Sequence, residues 1–154
     1  MYEKVDYGYV INRLLLRIAE VKGDLLKPRP DVVVGDSSLR NVADYLYHVE
    51  ALHTILIPEL RGASTKYLDV ASRLLTLLND LQECKDDKDR VRELERKASE
   101  LLEELPKDLA EKVASQRYYH KMVSLIIDKA LEEMLQRLYE SGLLIKGKHY
   151  RVGY

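Results

Sequence analysis

The chain has 154 residues, 46% of them apolar and 33% charged, which suffices for one domain to bury its own core without a metal or disulfide to hold it. A net charge of -1, from 25 basic and 26 acidic residues, excludes a global attraction to nucleic acid or to an anionic membrane and leaves such partners to a local patch. The single cysteine, Cys84, excludes an internal disulfide and a four-thiolate zinc site; with a polar, charged Met1 to Tyr9 in place of a secretory signal, it implies a cytoplasmic protein.

Tyrosine is the only aromatic residue, Asn and Gln are scarce and charge is abundant, a profile that leans toward a thermophile. The longest apolar runs, such as Leu14 to Leu16 and Leu125 to Ile127, fall far short of the roughly 20 residues needed to span a bilayer.

Periodicity predicts a first helix over about residues 3–22, with Ile11, Leu14, Leu15, Ile18 and Val21 on one side, Arg13, Arg17 and Glu20 largely on the other, and Gly23 as its end. Two prolines make Lys27 to Pro30 a long crossover, and the valines of Asp31 to Gly35 suit a short strand or extended segment. A second helix over 37–57 opens at Asp36, Ser37 or Ser38 and is disturbed by Pro58; its stripe is Leu39, Val42, Leu46, Val49, His53, Leu56 and Leu60. A turn at Arg61 to Ala63 precedes a third helix over 65–83, capped by Ser64 or Thr65. Leu68, Ala71, Leu74, Leu75, Leu77, Leu78 and Leu81 make it apolar over so broad an arc that it is either central or a subunit contact.

The fourth helix, over 87–105 with Asp86 or Asp87 as cap, carries a narrow seam of Val91, Leu94, Ala98, Leu101 and Leu105, which places it on the outside. Its mixed charges from Asp89 to Glu104 read as a solvated face. The organising element is a single long helix over 107–141, opened by Pro106 and closed by Gly142. Val113, His120, Ile127 and Met134 recur along it, with Val123, Ala130, Leu131 and Leu138 beside them. In the tail, 143–154, Lys146 and Gly147 suit a short hairpin, and Lys146, Lys148 and Arg151 with Tyr150 and Tyr154 form a basic, aromatic patch with too few cations for strong nucleic-acid binding. The expected fold is therefore all-α: a four- to five-helix up-and-down-like bundle with a long crossover after the first helix and a short extended tail.

Candidate chemistry sits where polar residues interrupt apolar stripes, at His53 and His120. Glu50 lies one turn before His53, and an E-x-x-H spacing projects a carboxylate and an imidazole from one helical face, where both can bind a divalent metal such as zinc, iron or manganese. Glu50, His53 and His120 are thus the candidate metal ligands. The segment Glu50-Ala51-Leu52-His53 resembles half of the di-iron site of ferritin-like carboxylate proteins, whose length and helix count also match; the resemblance implies a metal between the second and last long helices. The counterpart position before His120 is Arg117 rather than Glu, so the second half-motif is absent. The opposing reading makes both histidines packing residues bonded to Glu50, Tyr45, Tyr118 or Tyr119.

Other helical families fit less well. Helical RNA-cleaving toxin domains carry an arginine before a histidine at a spacing that neither Arg40–His48 nor Arg117–His120 matches. Bundle-type cobalamin adenosyltransferases need a Gly-rich N-terminal loop that Met1 to Val10 lacks, and DinB-type bundles need histidines one turn apart, whereas His48 and His53 are five residues apart. In type and composition the chain resembles the small uncharacterised helical-bundle proteins of archaeal genomes, which implies no activity. No Gly-rich phosphate loop occurs, and Ser37, Ser38 and Cys84 have no neighbouring base that would make them nucleophiles. The sequence therefore points to a non-enzymatic, homo-oligomeric interaction or scaffold protein without membrane or cofactor. The alternative is a metal- or small-molecule-binding bundle.

Overall fold

Leu, Ile and Val at three- and four-residue spacing dictate helices, and helices are what the chain forms. The computed structural model describes residues 7–26, 36–56 and 65–143. They comprise α1 (Tyr7–Leu26), α2 (Asp36–Ile55), α3 (Thr65–Glu83), α4 (Lys88–Glu103), α5 (Lys107–Ala114) and α6 (Tyr119–Glu140), with no strand among the described residues. None of these helices is long and apolar enough to cross a membrane. The extended segment before α2, the Pro58 and Leu60 region and the tail hairpin with its basic patch lie outside the described residues.

The all-helical expectation holds, but the count is six among the described residues rather than four or five, because the expected single helix over 107–141 is two. α5 ends at Ser115 and α6 begins after Tyr118, whose φ of -112° and ψ of 135° are extended. No proline or glycine makes this break. Ser115 Oγ donates to the Lys112 carbonyl at 2.7 Å and Gln116 Nε2 to the same carbonyl at 3.4 Å, so side chains take over a carbonyl that a continuing helix would use. Ser, Tyr and His in this stretch also have modest helix propensity. The break turns α5 so that it packs against both α4 and α6, with Val113 fully buried.

Gly142 closes α6 as its position predicts. Its φ of 80° is left-handed, and the amides of Gly142 and Leu143 donate to the carbonyls of Tyr139 and Leu138 at 3.1 and 3.0 Å, the paired bonds of a Schellman cap. α1, by contrast, runs through Gly23 to Leu26 and stops two residues before Pro28. Packing of Val21 and an ion pair of Lys22 hold that last turn against the roughly 1 kcal/mol that a helical glycine costs.

α6 lies against α2, α3 and α5, and α3 touches α2, α4 and α6. The broad apolar arc of α3 is thus satisfied within the chain, by burial of Leu68, Val70, Ala71, Leu74, Leu75, Leu78 and Leu81. α4 buries only Leu94 and Leu101 and exposes the ion pairs Arg90–Glu93, Lys97–Glu93 and Arg96–Glu100, the solvated face its charge pattern predicts. Asp87 caps it by accepting from the Arg90 amide at 3.2 Å. α1 packs against α2 through Ile11, Leu15, Ile18 and Val21.

A Cβ added at Gly23 would meet nothing within 4 Å, and the residue is helical. Gly23→Ala should therefore raise stability by about 0.5–1 kcal/mol, read as a higher urea midpoint at unchanged slope.

Candidate functional site

Among the described residues, Tyr45 is a polar side chain buried in the core of the bundle. On α2, Val42, Tyr45, Val49, Leu52 and Leu56 follow one another at three- and four-residue steps and all are buried, so the helix turns this track to the core and Tyr45 with it. Its hydroxyl donates to Asp128 Oδ1 of α6 at 2.6 Å, and Lys22 Nζ of α1 reaches the same oxygen at 3.1 Å. Three helices therefore meet on one carboxylate oxygen. Tyr45 is completely buried, whereas the Lys22 and Asp128 side chains keep 20% and 31% of their exposure, so the cluster runs from the core to the surface.

Burial, then the Asp128 charge and its hydrogen bond, push the Tyr45 hydroxyl far above the ordinary tyrosine range. Such a phenol holds its proton and cannot serve as an acid or nucleophile near neutral pH. Asp128 spends one oxygen on both partners. The arrangement joins three helices through one carboxylate oxygen.

The residues singled out from the sequence lie elsewhere. His53 is not on the core track of α2; Leu52 occupies that place, and His53 is partly exposed beside it. Its Nε2 is nevertheless buried and has no hydrogen-bond partner among the described residues. Glu50, one turn earlier, is exposed as a residue, yet partial desolvation raises its carboxyl pKa and the nearby His53 opposes that rise. Glu50 and His53 thus share a flank as their spacing predicts.

His120 is not a core residue either. It sits in the first turn of α6, part-buried, its ring stacked on Tyr118 with centroids 5.7 Å apart, while Lys121 Nζ lies 5.4 Å from the same tyrosine ring. Burial and then the Lys121 charge lower its pKa. Among the described residues no group of three or more His, Cys, Asp or Glu side chains is placed to hold a metal ion. His48 makes an edge contact with the exposed Tyr47 ring at 5.4 Å, and His149 is outside the described residues.

A groove of about 710 Å³ opens between α3 and α4, floored by Leu77 and Leu101 and rimmed by Arg73, Lys97, Glu100 and Glu104. Arg73 approaches Glu104 at 3.5 Å and Asp69 at 3.6 Å, so its charge is shared along the rim and solvated.

Sequence reasoning missed Asp128 and Lys22. The available signal was an acid set directly after Leu125, Ile126 and Ile127, on a helix otherwise apolar on that side, opposite a tyrosine on the inner track of α2. Comparison with protein-family models, with curated proteins and with solved structures finds nothing that matches this chain.

Tyr45→Phe should cost roughly 1 kcal/mol, and Asp128→Ala roughly 2–3 kcal/mol because it strands a buried hydroxyl and releases Lys22, both read by urea unfolding. The folded-state pKa of Tyr45 lies above that of the unfolded chain, so its contribution is intact below pH 10.0 and lost as the pH rises beyond it; Tyr45→Phe should lose less stability there than the wild type. His120 has the opposite sign. Its folded pKa is lowered, so its contribution is present above pH 6.5 and lost as the pH falls below it, and His120→Gln should flatten the acid side of a melting-temperature profile.

Proposed function

We propose that this chain is a non-enzymatic helical interaction protein that works as a homo-oligomer. The observation that carries this reading is the placement of large apolar side chains on outer helix faces: on α1, Tyr9 and Leu16 are 62% and 47% exposed, and on α2, Tyr47 is 66% exposed. The interior supports it from the other side. The Tyr45 phenol, buried and donating to Asp128, is not a poised acid or nucleophile.

The rival reading, a metal- or small-molecule-binding bundle centred on Glu50, His53 and His120, has one observation in its favour, the buried and unpartnered His53 Nε2. One sample distinguishes the two. Untagged protein is passed through size exclusion with light scattering, and the same peak is analysed for zinc, iron and manganese. The interaction reading expects a mass at least twice the 17.9 kDa of one chain and no stoichiometric metal. A 17.9 kDa particle carrying one metal that disappears in His53→Ala would replace it with the rival.

A further inference from the structure

Opposite the buried residues of α1, a second stripe runs down its solvent side. Tyr9, Arg13, Leu16 and Glu20 follow at steps of four, three and four residues, the spacing of a seam between paired helices, and all four are exposed. Apolar and charged residues alternate along it, and its two charges are opposite.

We propose that this stripe is the seam of a two-fold dimer in which α1 helices from two copies pair antiparallel through Tyr9, Arg13, Leu16 and Glu20. The inference rests on the self-association reading above and names its surface. The occupant follows from the charge pattern. A two-fold axis near Leu16 reverses the helix direction about that residue, so Leu16 meets Leu16, Arg13 of each copy comes opposite Glu20 of the other, and Tyr9 lies at each end of the seam. Any antiparallel register that keeps the two Leu16 side chains within a turn keeps these charges within about a turn, which an arginine side chain spans. Parallel pairing would instead set Arg13 on Arg13 and Glu20 on Glu20. A foreign surface of a single sign would attract one charge of the stripe and repel the other.

Each charge is able to take such a partner. Arg13 makes no ion pair within the described residues. Glu20 accepts from Arg17 at 3.0 Å, with the two side chains 67% and 54% exposed, and its carboxylate retains lone pairs for a second cation.

Sedimentation equilibrium of the full chain tests the seam with Leu16→Glu, Arg13→Glu and the exchange variant Arg13→Glu/Glu20→Arg. The wild type should be a dimer and Leu16→Glu a monomer. Arg13→Glu should raise the dissociation constant about tenfold, and the exchange variant should return it to within about threefold of wild type. The substituted positions are exposed, so helical content should be unchanged and the unfolding midpoint should match that of wild type diluted to monomer, which separates loss of pairing from loss of fold. An oligomer indifferent to Leu16→Glu and Arg13→Glu overturns this seam and leaves self-association standing. A wild-type chain that stays monomeric at millimolar concentration overturns both.

Discussion

A phenol shut away from water must keep its proton and find an acceptor, and that constraint shapes the junction of α1, α2 and α6. Tyr45 is completely buried, so an acceptor had to come from a neighbouring helix, and Asp128 on α6 supplies it at 2.6 Å. Asp128, which keeps about a third of its exposure, is met in turn by Lys22 of α1 at 3.1 Å. Apolar contact is nondirectional and tolerates sliding, whereas this chain of three groups works in one register of the three helices. The rest of the core, above all the burial of Ile126, Ile127, Leu131 and Met134 on α6, supplies most of the driving force around that fixed point.

The same closure bears on function. The high proton affinity of Tyr45 removes that hydroxyl from acid–base chemistry near neutral pH. Large apolar side chains stand on outer helix faces, Tyr9 and Leu16 on the solvent stripe of α1 and Tyr47 on α2, and on α1 they alternate with charges of both signs. α3, which by its sequence could also have met another subunit, is covered by α2, α4 and α6 of its own chain. The self-association proposed above is therefore placed on α1 rather than on α3.

Much of the fold was legible. The seam of α4, the caps at Asp87 and Gly142 and the core faces of α1 and α3 follow from spacing and turn chemistry that act locally. Two features were not. The break at Ser115 to Tyr118 depends on side chains bonding the Lys112 carbonyl, a competition that heptad counting does not see, and it moved His120 from an expected core position to a helix start. On α2, two interleaved tracks of apolar residues share Val42, Val49 and Leu56. Tertiary packing buries Tyr45 and Leu52 together with Leu46, and of the expected stripe it leaves His53 on the flank. The Glu50–His53 pair was correctly placed on one face by its spacing, since that relation is local; convergence with a third group is a tertiary matter that one-dimensional spacing does not determine.

The most direct measurement is a dilution series of leucine-methyl NMR spectra, with Leu16 assigned by substitution. Self-association through α1 predicts that the Leu16 methyl resonances shift with concentration while those of Leu15 and Leu74, both buried, stay fixed. Leu16 resonances that do not move across the whole series, in a particle of constant monomeric mass, would contradict it.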